Sequence, residues 1–229
     1  MTRDVELVVV DNPEAAAQRI AELLATAARA GGHIALSGGS GPERAYELAA
    51  ELEPDWSRSE VWWGDDRCVP PDDELSNYRM AREALLDRLS VPPAAVHRIE
   101  GELDPVAAAD RYDRALQGVR LDLNLLGIGP DGHTASLFPN APTLDVRDRL
   151  AVAADPGLEP FVPRVTLTVP ANSAAAHVVF IVTGAAKADA ARRAFGGPPD
   201  PGTPASLVRS ESGRTTAILD AEAASQLSI

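Results

Sequence analysis

The chain has 229 residues, 45% of them hydrophobic and only 4% aromatic, which is ample for a packed core built mainly from aliphatic side chains. Its formal net charge of −13, with no basic cluster, makes nucleic acid and anionic membrane poor partners. A site for an anion would have to create local positive charge against that field. Of the 21 Lys and Arg residues only Lys187 is a lysine. It either stands where a compact ammonium is needed or is a chance survivor on a helix surface. Cys68 is the only cysteine, so no intrachain disulfide can form. No apolar run approaches the ~20 residues of a membrane span. The first residues lack a secretion signal's long apolar region. A soluble, cytoplasmic protein is expected.

In chain order, Val5 to Val10 reads as a first strand. Pro13 to Ala30 reads as a helix capped by Asn12, with Pro13 at its first position and Gly31-Gly32 at its end. His33 to Leu36 is a second strand. It runs into Ser37-Gly38-Gly39-Ser40-Gly41-Pro42 and a helix over Glu43 to Leu52. A glycine-rich loop opening a helix offers consecutive backbone N–H groups to an anion, but it also serves as a plain tight connection. The spacing matches neither the P-loop nor the dinucleotide fingerprint.

Ser59 to Trp63 is a third strand, followed by Gly64-Asp65-Asp66-Arg67. That is a polar cluster, or else a solvated loop with a local ion pair. Cys68 reads as a packed residue. Ser76 to Leu89 is expected to be helical, Val96 to Ile99 a short strand, and Pro105 to Leu116 a helix.

Leu123 to Ile128 is an apolar strand that stops at Gly129-Pro130. It puts Asp131, Gly132 and His133 in a turn, and Thr134 to Phe138 is expected to open a short helix. Ligands of open α/β sheets bind at the carboxyl edge of the strands, so His133 is the first residue to suspect. Strands follow over Leu150 to Ala153, Arg164 to Val169 and His177 to Thr183, with a turn over Pro170 to Ser173. Gly184 to Lys187 opens a helix to about Phe195, Gly196 to Pro204 is a loop, Thr215 to Leu219 a last strand, and Ala221 to Gln226 a short helix. His33, His97 and His177 lie in or beside strands and read as structural.

Alternation of strands and helices predicts an α/β fold: a doubly wound, largely parallel sheet with helices on both faces, Rossmann-like. Nothing in the sequence requires a second domain, so residues 1–229 are expected to form one. Four junctions carry polar residues: Gly38 to Ser40, Asp65 to Arg67, Asp131 to His133, and Gly184 to Lys187. In a doubly wound sheet they can meet at one edge.

LSGGSGP at 36–42, WWGDDRCVPPDDELSNYRMAREALL at 62–86, LLGIGPDGHTASLFP at 125–139, PRVTLTVP at 163–170 and VTGAAKADA at 182–190 together resemble the 6-phosphogluconolactonase family. That family lies within the wider group that includes glucosamine-6-phosphate deaminase. The likeness covers nearly the whole chain, and GPDGHTASLFP is its most specific part. It implies the glucosamine-6-phosphate isomerase type of fold and hydrolysis of 6-phospho-D-glucono-1,5-lactone to 6-phosphogluconate. Two positions depart from the family pattern: Gly41 stands where threonine is usual, and Asp66 where glutamate is usual.

On this resemblance His133 is the general base, Asp131 orients it, and Arg67 holds substrate oxygen or phosphate. Gly39, Ser40, Lys187 and Arg164 bind phosphate, while Asp65 meets a sugar hydroxyl or Arg67. No metal or cofactor is implied, the partner is a small sugar-phosphate lactone, and a monomer is favoured. The deaminase/isomerase alternative acts on glucosamine 6-phosphate and carries a glutamate five residues after the histidine. Here that position is Phe138, which cannot do acid–base work. A non-catalytic sugar-phosphate sensor would keep the phosphate cradle without a working base.

Overall fold

The computed structural model describes residues 5–228, except for the side chain of Ser40. Ten strands form two sheets. The larger has seven strands: β1 (Val5–Val10), β2 (Gly32–Leu36), β3 (Ser59–Trp63), β5 (Ala95–Val96), β6 (Leu123–Gly127), β9 (His177–Val182) and β10 (Arg214–Asp220). Every pairing in it is parallel, in the order β1-β10-β9-β6-β2-β3-β5. Helices α1 (Pro13–Ala30), α2 (Ser40–Leu52), α3 (Asn77–Ala84), α4 (Pro105–Ala115), α6 (Ala188–Gly196) and α7 (Ala221–Ala224) cover the faces.

Local chemistry explains the clearest elements. Asn12 accepts from Ala15 N at 2.9 Å and Pro13 takes the first turn of α1, where its missing N–H costs nothing. Every residue of β9 is buried, as expected of a central parallel strand covered on both faces. Aliphatic side chains dominate the core, and all three tryptophans are buried in it.

From β2 the chain progresses through β3 to β5 in one direction. From β6 it progresses through β9 to β10 in the other. The direction therefore reverses between β2 and β6, the point where open α/β sheets leave a crevice. The four polar junctions leave the carboxyl ends of β9, β6, β2 and β3, which are consecutive neighbours. Their convergence follows from strand order.

The second sheet was not expected. It is antiparallel, in the order β4 (Asp65–Arg67), β8 (Arg164–Leu167), β7 (Ala151–Ala154). Asp65 to Arg67 is thus a strand rather than a loop, since β8 supplies its ladder: Leu167 N donates to Gly64 O and Cys68 N to Pro163 O, each at 2.8 Å.

Further differences have local causes. Strand β8 stops at Leu167 because the Thr168 hydroxyl caps a short helix, α5 (Val169–Ser173), in place of the expected turn. The helix expected over Thr134 to Phe138 does not form. The Thr134 hydroxyl donates to Gly127 O at 2.8 Å, Leu137 N closes back on Thr134 O at 2.9 Å, and Ala135 has φ 48°. A left-handed residue at that point ends any right-handed helix. Helix α3 ends at Ala84 rather than Leu89, with a 3-10 turn beyond it, and the strand near Val96 covers only Ala95–Val96.

Candidate active site

The turn after β6 is shaped around one imidazole. Gly129 N donates to His133 O, closing the turn, and Gly132 N donates to Gly129 O, each at 2.9 Å. A Cβ on Gly129 would lie 2.1 Å from both Nδ1 and Cε1 of His133, so only glycine lets the ring fold back over the turn. In that position Nδ1 lies 2.6 Å from Asp131 Oδ1, and His133 N donates to the same oxygen at 3.1 Å. An ionised carboxylate only accepts, which assigns the proton to Nδ1 and the lone pair to Nε2. Burial would push the Asp131 carboxyl up, but the ring and backbone N–H groups of His133 outweigh it and hold it below the usual carboxylate range. Nε2 makes no hydrogen bond among the described residues, and His133 faces a cleft of about 250 Å³.

The same cleft is lined by Gly38, Gly39, Asp65, Arg67, Arg164 and Lys187. The glycine loop is fixed at its start by Tyr46 of α2, whose hydroxyl takes Ser37 N at 2.8 Å and donates to Ser37 O at 2.7 Å. A Cβ on Gly38 would overlap Asn77 Oδ1 at 1.9 Å, so the loop rests directly on the first residue of α3. Gly39, at φ 94°, turns the chain into α2. Ser40's side chain lies outside the described residues.

Arg67 and Arg164 are direct partners in the β4–β8 register. Each has some hydrogen bonds: Arg67 Nη1 donates to Leu75 O at 2.7 Å, and Arg164 Nη2 to Leu158 O at 3.3 Å and Pro160 O at 3.2 Å. The Nε of each is buried without a partner. Burial, and next the charge of Arg67, pull the Arg164 guanidinium below its ordinary value. Two cations opposed across a ladder disfavour each other, and an anion between them would relieve this. Lys187, in the 3-10 turn before α6, makes no ion pair among the described residues. Burial lowers its ammonium pKa against the opposing charge of Asp220.

The two aspartates after β3 divide their work. Asp65 lines the cleft, and its Oδ2 accepts from the Ser136 hydroxyl at 2.6 Å. Asp66 faces the protein, taking Arg67 N, Asn77 N, Tyr78 N and the Ser76 hydroxyl. Burial pushes its carboxyl up to about 6 against those donors. Its shorter arm therefore serves to hold α3 in place.

Phe138 is buried, its ring 5.3 Å from that of His133 and beneath the Arg164 guanidinium at 5.5 Å. It forms an apolar wall beside the base. Sequence reasoning missed Ser136, Asn77 and Arg193. Ser136 lies within the most specific motif, and Asn77 begins a helix just after the acidic run. No local pattern marks Arg193.

Elsewhere, burial raises the Cys68 thiol to about 11, which suits packing rather than attack. His97 stacks on Trp62 at 3.8 Å and meets Glu60 at 2.7 Å, and His33 accepts from Trp62 Nε1 at 3.1 Å. Among the described residues no group of three or more His, Cys, Asp or Glu is placed to hold a metal ion, and no helix is long and apolar enough to cross a membrane.

The sequence profile described as glucosamine-6-phosphate isomerases/6-phosphogluconolactonase matches residues 11–217. A 6-phosphogluconolactonase of Synechocystis is 40% identical over 214 residues, covering 89% of this chain and 88% of its own. One from Nostoc is 39% identical over 206 residues, covering 86% and 85%. The solved 6-phosphogluconolactonase of Trypanosoma cruzi superposes with a TM-score of 0.86 at 29% identity, covering 100% of this chain and 99% of that one. With that profile match and those identities added to the fold, the chain belongs to the glucosamine-6-phosphate isomerase/6-phosphogluconolactonase family.

Proposed function

We propose that this chain hydrolyses 6-phospho-D-glucono-1,5-lactone to 6-phospho-D-gluconate, the second step of the oxidative pentose phosphate pathway. The observation that carries the reading is the Asp131–His133 pair. It leaves Nε2 unpaired in a cleft whose other groups include Arg67, Arg164 and Lys187. Water attacks the lactone carbonyl as Nε2 takes its proton. The imidazolium, facing the Asp131 carboxylate, then returns a proton to the ring oxygen as the ester C–O bond breaks. Histidine suits this exchange because imidazole titrates near pH ~6.5.

The phosphate is held by backbone N–H groups at Gly39 and Ser40 with Lys187 and Arg164. Arg67 holds substrate oxygen, and Asp65 Oδ1 a sugar hydroxyl. Backbone groups carry more of the phosphate contact here because Gly41 has no hydroxyl. The same reading takes residues 1–229 as one domain working as a cytoplasmic monomer; sedimentation of the purified protein checks the last point.

The test is lactone turnover coupled to detection of 6-phosphogluconate, with the spontaneous rate subtracted. His133→Ala is expected to fold and to lose about 10²–10⁴ in catalysed rate. Wild-type turnover in that variant would remove His133 as the base. Release of ammonia from glucosamine 6-phosphate would favour the deaminase, which Phe138 argues against. Ligand binding without any turnover would favour a sensor.

A further inference from the structure

The turn that carries both Asp131 and His133 is gripped from outside by α6 and the segment after it. Arg193 Nη2 donates to Pro130 O at 3.4 Å and Nη1 to Asp131 O at 3.3 Å. Nη1 also bonds the Thr203 hydroxyl, and Ala205 N donates to Gly132 O at 3.0 Å. The three consecutive carbonyls before His133 thus all point at donors from one segment. The fit is close. Gly132 has φ +97°, and a Cβ there would lie 2.9 Å from Thr203 Cγ2 and 3.0 Å from Arg193 Nη1. Asp189 Oδ2 takes Arg193 Nε at 2.8 Å, which aims the guanidinium from the preceding turn of the helix.

We propose that Arg193 is a positioning residue for the base: its guanidinium, clamping the Pro130 and Asp131 carbonyls, fixes the turn that aims His133. This rests on the assignment of His133 as base. Arg193 does not line the cleft, so it acts only through the turn. Lys187 begins the same segment, in the 3-10 turn that leads into α6. One short rigid piece therefore sets the distance between the anion end of the cleft and the base. Displacement of a base by about 1 Å costs up to ~10²-fold in rate, and a planar two-pronged donor suits two adjacent carbonyls in a way an ammonium does not.

Two readouts test this, turnover and the hydrogen-bonded Nδ1 proton of His133 seen by NMR. Arg193→Met is expected to lower kcat about 10–100-fold, leave KM within about twofold, and shift or broaden the Nδ1 proton resonance. Arg193→Lys, which keeps a cation and one reach of the pair, should fall between; it carries the same test should the methionine variant fail to fold. Wild-type kcat, a loss confined to KM, or a lowered kcat with an unmoved Nδ1 resonance would each overturn the proposal. His133→Ala, assayed in parallel, tests the underlying assignment separately. If it turns over normally, the base is wrong whatever Arg193 does.

Discussion

The Ser136 hydroxyl donates to Asp65 Oδ2 at 2.6 Å, joining the turn after β6 to strand β4 of the other sheet. Both residues are buried, so the bond cannot be replaced easily by water. A hydrogen bond to a charged group of this kind contributes about 1.5–3 kcal/mol. Ser136→Ala should lower Tm by roughly 4–10 °C and, on the role proposed for Asp65, kcat/KM by about tenfold, because that carboxylate is no longer held in place. Thermal unfolding and steady-state kinetics check both, and a wild-type Tm would show the bond to be dispensable.

Asp131 contributes a full negative charge at the Nδ1 side of the ring. Asp131→Asn keeps the size but offers either an amide donor or a neutral acceptor. The ring is then free to take the other tautomer, with the proton on Nε2. On the proposed mechanism kcat should fall on the order of 10²–10⁴ with little change in KM. An unchanged pH–rate profile at full activity would mean that Asp131 neither orients the ring nor supports its charge.

If the cleft holds the substrate phosphate as proposed, inorganic phosphate should stabilise the protein by binding the folded cleft and not the unfolded chain. At about five times its Kd the gain is about 1 kcal/mol, or roughly 2–4 °C in Tm, and it should shrink as ionic strength rises. Lys187→Met is the clean control, since among the described residues Lys187 makes no ion pair that the change would break. A phosphate-induced shift equal to wild type in this variant would exclude Lys187 from the anion site.

His177 gives a pH prediction outside the cleft. Its Nε2 meets the Thr216 hydroxyl at 3.0 Å, and that hydroxyl donates to Glu6 at 3.1 Å, so Nε2 is the donor to Thr216. Burial, then the charge of Arg214, lowers it to about 4, against about 6.5 in an unfolded chain. As pH falls below about 6.5 the unfolded chain takes the proton first, so stability is lost progressively down to about 4. Asp66, raised to about 6, works with the opposite sign over nearly the same range. Comparing His177→Gln with wild type cancels the Asp66 contribution. The variant should gain on the order of 1 kcal/mol on wild type between pH 7 and pH 5. Parallel stability curves would refute it.

Much of this was legible in the chain. His133, Lys187, Arg67 and Gly39 each follow a short apolar run that ends in glycine, and such runs can be read one at a time. What could not be read is who pairs with whom. Arg67 and Arg164 meet through a ladder between distant segments, and nothing in either segment names the other. The helix expected over Thr134 to Phe138 failed for a related reason. The Thr134 hydroxyl is committed to Gly127 O, and Ala135 takes a left-handed turn that its sequence does not announce. Arg193 was invisible because the partners that tie it to the turn, Pro130 and Asp131, offer carbonyl oxygens, which every residue has.

The direct opposition of Arg67 and Arg164 also places a constraint on how this sequence can drift. Side chains alternate along a strand, so two directly opposed residues emerge on the same face of the small sheet. A single-residue insertion or deletion within 65–67 or 164–167 would slip the register by one and send one guanidinium to the far face. Point changes leave this geometry alone, and changes of two residues restore it. Those two stretches therefore carry a parity rule: their lengths change in even steps, or the cleft loses half of its arginine pair.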